Sequence, residues 1–565
     1  MLYINLLGMI CTAFCCISTL WVKHTEKLCS QKQIRNLLLA VLFVFSIGIR
    51  LFKFGALPDA LNQDSTMAAV NAYSLLQHGT DIDGMKFPVY FTAWGDSQMN
   101  VLMSYMMIPW IKLLGLNRIS ILMPTIIMSI CGMAAGCKLV DYLFGGWMPV
   151  LFMAVISCNP WHYISSRWAL ESNLFPHFFV IGVLLLVCGI NKKKTWMINL
   201  SVFIMGLSHY NYGLSIYVVP VFLLIICIYM LKSKIISFVQ ATISLAVYFA
   251  VSWPFYLMII INVFDLPTIK LPFMTIPSFV GGARSGETLF FSKEPLNQLL
   301  ENFNNLIKLV FVQSDGLIWS SVPNFGTVML FLVPVMILGF IRVYGRKTKN
   351  ISKVIVSAWL AVSFFDGLIT NEINSTRLNV AMYLSVILVA CGLMTILESG
   401  KLRISIMAVI CAGMYGLFIF DYFTVYQDRF FDKEYAYSGN FTKALSKAYD
   451  VSFNDENVKY VITPDSQYPG ARLISEVDTM FIWKIDSDYR LGLTDLYDAT
   501  GEHTPYIEKF AYSVISREKE LDNDYKTVYV IESSYIDVFD DDYSVYKYGQ
   551  FATCVPKALE YDITF

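Results

Sequence analysis

LPDALNQDSTMAAVNAYSLLQHGTDIDGMKFPVYFTAWGDSQMN, residues 57 to 100, is a polar stretch set between apolar ones. Within it Asp64 stands at the mouth of a short helical pattern, a Gly79-Thr80-Asp81 turn follows, and Asp96 lies at a loop end. Met67, Val70, Tyr73 and Leu76 fall on one face of that pattern and Gly79 stops it. The spacing therefore predicts a helix capped by Asp64 or by Asn62.

The chain on either side is built for a bilayer. Of 565 residues 56% are hydrophobic and 15% are charged, with a mean hydropathy of +0.55. Soluble domains carry about a quarter charged residues, so an α-helical polytopic membrane protein is expected. The net charge of −1 conceals a split: of 43 acidic and 42 basic residues, 27 acidic and 14 basic lie from Asp421 onward, leaving 16 and 28 before it. We expect a cationic membrane domain over 1–420 and an acidic soluble domain over 421–565. Ten of the 12 cysteines lie in or beside apolar runs, with Cys29 in a basic loop and Cys554 in the tail, which is no disulfide framework.

Residues 1–22 form a first apolar run with Lys23, Lys27, Lys32 and Arg35 after it and no basic residue before it. That polarity is the reverse of a secretory signal, so a retained helix with its N-terminus outside is expected. A second run, 36–52, delivers the loop at Leu57 to the outer side. Residues 101–116 contain Pro109 and Lys112. Were they to cross, Lys192 to Lys194 would fall outside, against the positive-inside rule, so they are expected to lie on the outer surface. Ten further spans then alternate, at about 119–139, 147–160, 174–190, 196–209, 211–231, 235–262, 325–343, 353–370, 378–397 and 403–420. This makes about 12 spans, with outer loops at 54–118 and 263–324 and both termini outside.

The tail has a different texture. Lys459 to Thr463 and Thr527 to Glu532 read as short buried strands and Phe441 to Tyr449 as a helix, which predicts an extracytoplasmic α/β domain. No Walker loop, dinucleotide fingerprint, HExxH or paired CxxC is present, which removes the usual signatures of ATP-driven transport and zinc hydrolysis.

Four further polar groups interrupt the apolar runs. Arg167 and Glu171, at i and i+4 in Asn159 to Asn173, read either as a structural ion pair or as substrate contacts. His209 in Ser208 to Tyr212 reads as a satisfied structural histidine or a ligand contact. Arg377 in Asn374-Ser-Thr-Arg anchors a helix end at the headgroups or meets an anion. Asp96 is the second carboxylate of the first loop.

The order of these pieces resembles the GT-C superfamily of membrane glycosyltransferases, of the bacterial protein-mannosyltransferase and aminoarabinose-transferase type (family 39-like). The resemblance covers roughly 36–420. It rests on Asn62-Gln-Asp64, Asn71 to Leu76, Gly95-Asp96, Gly115-Leu-Asn117 with Pro124, Pro160-Trp-His162 with Ser166-Arg167 and Glu171-Ser-Asn173, and Ser321-Val-Pro323. Many relatives have Asp-Glu where this chain has Asp64-Ser65, so the acidic pair is incomplete. The resemblance implies a polyprenyl-phosphate sugar as donor, Asp64 as the base, and Asp96, Arg167, Glu171, His209 and Arg377 as substrate contacts.

A sugar already linked to phosphate has a good leaving group. The enzyme then has to deprotonate an acceptor hydroxyl and stabilise the departing phosphate, which needs a carboxylate and cations but no nucleotide or redox cofactor. A divalent metal is compatible with this chemistry, though no dense carboxylate cluster demands one and no metal ligand is assigned. The expected setting is a multi-pass bacterial cell membrane, with membrane lipid as partner, no nucleic acid, and a glycan, lipid or protein as acceptor. The competing class is a non-catalytic transporter or flippase of lipid-linked glycans, which calls for ionisable groups near mid-membrane. A cell-envelope scaffold would leave the loop carboxylates idle.

Overall fold

The computed structural model describes residues 2–22, 32–94, 97–279, 288–322, 324–428, 439–452, 458–462, 471–497, 503–513 and 526–561. Its helices begin with α1 Leu2–Leu20, α2 Lys32–Leu51, α3 Gln63–His78, α4 Leu102–Leu114, α5 Arg118–Leu143, α6 Met148–Ser157 and α7 Pro160–Ser165. They continue with α8 Phe175–Lys192, α9 Thr195–Leu207, α10 Ser215–Lys232, α11 Phe238–Val263, α12 Pro295–Val312, α13 Val333–Val343, α14 Asn350–Ile369, α15 Val380–Ser399 and α16 Lys401–Thr424. The tail adds α17 Gly439–Ser452, α18 Ala471–Trp483 and α19 Ser487–Arg490.

Among the described residues nine helices are long and apolar enough to cross a membrane: α1, α2, α5, α8, α10, α11, α14, α15 and α16. The other three expected spans are realised as shorter helices, α6 with 10 residues, α9 with 13 and α13 with 11. A perpendicular crossing takes about 20 residues, so these fall short of one. The stretch expected to lie on the surface is α4, whose 13 residues rise only about 20 Å.

Contacts divide the chain into two units. One comprises 1–54, 124–257 and 284–426, the other 55–123, 258–283 and 427–565. The expected boundary at 420/421 set the tail apart. By contacts the tail, from residue 427, groups with the first outer loop and with 258–283, the first part of the second.

In the membrane unit the helices approach closely wherever glycine removes a side chain. α13 and α15 pack so tightly that a Cβ on Gly339 would lie 1.8 Å from the Leu388 carbonyl oxygen, and one on Gly392 would lie 2.0 Å from that of Val335. Small residues at such crossings are how helices associate where lipid removes the hydrophobic drive. Arg342 joins the same pair by a two-pronged bond to Glu398 at 2.7 and 2.9 Å.

The second unit is centred on a five-stranded mixed sheet. Its strands follow two short hairpins, β1 Phe91–Ala93 with β2 Ser97–Met99 and β3 Ile269–Lys270 with β4 Thr275–Ile276. The sheet contains β5 Lys459–Ile462, then, beyond the small pair β6 Leu496–Tyr497 and β7 His503–Thr504, β8 Phe510–Tyr512, β9 Thr527–Glu532, β10 Tyr543–Tyr548 and β11 Phe551–Pro556. The order is β10-β11-β9-β5-β8, with β5 parallel to both β8 and β9 and the rest antiparallel. The strands read from sequence are β5 and β9, and the predicted helix is α17.

The glycine crossing carries a prediction. Gly392→Ala or Gly339→Ala forces a methyl group into backbone, which neither helix can yield without separating, so the yield of monodisperse protein should collapse. Gly413→Ala in α16, where a Cβ meets nothing within 4 Å, should be neutral or gain up to about 1 kcal/mol of helix propensity. Equal behaviour of the two classes in size exclusion and melting would remove the crossing as a packing determinant.

Candidate active site

The first turn of α3 decides what Asp64 can do. Asn62 is the N-cap, in extended backbone, and its side-chain oxygen accepts the Asp64 N–H at 2.8 Å. Asp64 is thus the second residue of the helix, and the N-cap is Asn62. It is half-buried, and Oδ1 accepts the indole N–H of Trp94 at 3.0 Å. Trp94 sits at the end of β1 with φ of 52°, the left-handed backbone that turns the hairpin toward β2. A carboxylate in a helix's first turn is favoured by the amide dipoles there, and the indole fixes its direction.

α3 is not the one-faced helix its sequence suggests. Ser65 to Ala72, Ser74 and Leu75 are all buried, because α4 and α18 both pack against it. The tail also holds α3 through polar contacts along its length. Ser74 and Ser487 share a hydroxyl bond of 2.7 Å. Past Gly79, which ends α3 in left-handed backbone, Arg490 donates to the Ile82 carbonyl at 2.7 Å and pairs with Glu476 at 2.9 Å. Asp59, at the loop entry, meets Arg118 at 2.7 Å and Lys443 at 3.2 Å. Burial alone would raise its carboxyl, but the two cations hold it below the usual carboxylate range.

The second contact along α3 is Asp478, on α18, which is 2% exposed and lies against Thr66. Desolvation pushes its carboxyl up to about 7. A protonated Asp478 can donate to the Thr66 hydroxyl, whose own proton goes to the Gln63 carbonyl at 2.9 Å. Asp81, in the turn after α3, is likewise pushed up to about 7 by burial, although its Oδ1 accepts the N–H groups of Met85 and Asp83.

His78, the last residue of α3, has Nε2 at 2.7 Å from Asp486 and Nδ1 at 3.2 Å from Asp488. The ligand atoms of these three residues lie within 4.8 Å of one another. An imidazole with two carboxylates suits a zinc-type divalent cation, so among the described residues this is where a metal could be held.

The other expected site residues, except Asp96, belong to the membrane unit. Arg167 is 1% exposed and donates to the carbonyls of Arg50, Phe52 and Lys53 at 2.7, 3.0 and 2.8 Å, closing the C-terminal end of α2. His209 is buried with Nδ1 at 2.8 Å from the Ser215 hydroxyl and Nε2 at 2.6 Å from that of Tyr248. Glu171, partly exposed, opens a short 3-10 turn before α8. Arg377, also partly exposed, donates to the Asn371 carbonyl just before α15. Asp96 lies outside the described residues.

Arg50 went unremarked in the sequence, although a lone cation in an apolar run is a signal in itself. Wholly buried, it donates to the Ser157 and Ile156 carbonyls at the end of α6 and to His162 Nδ1 at 2.9 Å. Because a guanidinium only donates, His162 keeps its proton on Nε2 and gives it to the Tyr383 hydroxyl at 3.0 Å. Tyr383 in turn donates to His177 Nδ1 at 2.9 Å.

Solved membrane-protein structures share this architecture. The solved structure of ArnT from Cupriavidus metallidurans is similar to this chain over 94% of its length and 99% of ArnT's, with a TM-score of 0.54 in the apo state and 0.55 with undecaprenyl phosphate bound, at 10% identity. The Archaeoglobus fulgidus oligosaccharyltransferase tethered to an acceptor peptide is similar over 80% of this chain and 64% of its own, with a TM-score of 0.50 and 11% identity. No protein-family model and no curated protein matches the sequence.

The buried carboxyl of Asp478 gives a pH prediction. Its folded value lies above its unfolded one, so the stability it contributes is full below about pH 4 and is lost as pH rises toward 7, by at most about 4 kcal/mol. Asp478→Asn, which mimics the protonated acid, should leave the melting temperature nearly unchanged at about pH 3.5 and raise it above wild type at about pH 8. The same difference at both pH values would show that Asp478 does not titrate in this window.

Proposed function

We propose that the protein is a glycosyltransferase that moves a sugar from a polyprenyl-phosphate carrier to an acceptor hydroxyl at the outer face of a membrane, with Asp64 as general base. The observation that carries this reading is the Asp64 carboxylate: it stands in the first turn of α3, is aimed by Trp94 and is partly exposed. The undecaprenyl phosphate bound by ArnT supports the choice of donor. Outer-face action is supported by the positive-inside distribution of Lys192 to Lys194, Arg346, Lys347, Lys401 and Arg403.

In the step itself, Asp64 takes the proton of the acceptor hydroxyl as that oxygen bonds to the anomeric carbon. The bond from that carbon to the phosphate oxygen breaks, and its electron pair leaves with the polyprenyl phosphate. The donor brings its own activation, so no nucleotide is consumed. A metal at His78, Asp486 and Asp488 would contribute positive charge at the end of α3, and no part of the transfer depends on it. The transporter alternative calls for ionisable groups in mid-span. Arg50, His177 and Tyr383 instead lie within about a turn of helix ends.

Purified protein incubated with a panel of polyprenyl-phosphate sugars and acceptors should release lipid phosphate. Asp64→Asn should lower that release by about 10² to 10⁴, the range of a general base. Because Asn62 supplies the cap and an amide oxygen can still accept the Trp94 indole, Asp64→Asn should cost no more than about 1 kcal/mol of stability, whereas Asp64→Ala also orphans that indole and should cost about 1–3 kcal/mol. Full turnover by the Asn variant would sink the assignment of the base.

A further inference from the structure

We propose that α12 lies in the plane of the membrane surface, across the ends of two spans, with one side dissolved in lipid acyl chains. Its 18 residues divide into three sectors. Leu296, Leu300, Phe303, Ile307 and Phe311 are each between 40% and 70% exposed. At 100° per residue they share an arc of about 80°. Asn297, Glu301, Asn304 and Lys308, also exposed, occupy the neighbouring arc. Asn302, Leu306 and Leu309 are buried and fill the remaining side. A soluble surface helix has two sectors, one against protein and one in water. A third that is both apolar and open requires another solvent.

The buried sector fixes the depth. Asn302 donates to the Leu368 carbonyl at 2.8 Å, one residue short of the end of the candidate span α14. Leu306 covers Gly367, where an added Cβ would come within 2.7 Å of its Cδ1. Leu306 and Leu309 form one buried cluster with Leu378, and Ala381, at the start of the next candidate span α15, packs against that cluster. Successive turns of α12 thus meet the end of one span and then the beginning of its neighbour, so α12 crosses them rather than running alongside. Its apolar stripe continues onto span surface, since Phe303 meets Phe364 edge-on at 6.4 Å, and Phe364 and Leu360 are themselves exposed on α14. Lipid is the partner that covers spans, and the stripe is continuous with what lipid covers.

Single nitroxide labels at positions 300, 307, 301 and 308, in a chain whose native cysteines are replaced, test this in lipid nanodiscs. Labels at 300 and 307 should collide severalfold more with dissolved oxygen than with an aqueous nickel chelate, and those at 301 and 308 should show the reverse. Nickel-dominated collisions at all four positions would overturn the proposal. So would immobilised spectra at 300 and 307, which would mean that a second copy or another protein covers the stripe. If a label at 300 or 307 leaves the protein polydisperse, position 296 or 311 gives the same readout.

Discussion

Buried in a membrane protein, the carbonyls at a helix end have no water to turn to, and in the membrane unit two wholly buried arginines answer that need. Arg50, at the end of α2, donates to the carbonyls that end α6. Arg167, beyond α7, donates to the carbonyls that end α2. Both guanidinium groups lie 5.6 Å from the Tyr163 ring, and the Tyr163 hydroxyl donates to the Ile49 carbonyl at 3.0 Å. An unsatisfied backbone group in hydrocarbon costs several kcal/mol, so these bonds fix where α2 stops and the chain turns toward Asp64.

The second unit applies the same logic to the helix that carries Asp64. α3 is buried on almost every side, so side chains rather than solvent set its position. Thr66 with Asp478, Ser74 with Ser487 and His78 with Asp486 and Asp488 all draw on α18, α19 or the turn between them. The acidic tail therefore has a mechanical role that its composition only hinted at: together with α4 it packs around the helix that carries the carboxylate. Catalysis by a general base depends on geometry held to within fractions of an ångström, which gives a reason for a clamp distributed over several bonds.

Periodic features were legible and long-range ones were not. Hydropathy located twelve helical segments because it depends on local composition, and the positive-inside rule is what sets α4 apart from the spans in the sequence. The cap was legible as a choice between Asn62 and Asp64, and only the extended backbone at Asn62 resolves it. Trp94 stands two residues from Asp96 in the quoted stretch, yet its bond to Asp64 depends on a hairpin turn that no periodicity encodes. Asp478 and Ser487 reach α3 from about 410 residues away, and nothing local in the tail marks them. The stripe on α12 was present in the spacing of Leu296, Leu300, Phe303, Ile307 and Phe311, but with four asparagines, a glutamate and a lysine the segment read as loop.

The most direct test of the account is an experimental structure with a non-transferable polyprenyl-phosphonate sugar bound. An acceptor oxygen must sit within hydrogen-bond reach of the base and about 3 Å from the carbon it attacks. The anomeric carbon should therefore be found about 4–6 Å from the Asp64 carboxylate, with open space for a hydroxyl between them. A donor seated with that carbon more than about 10 Å away, or with the gap filled by protein, would refute Asp64 as the base.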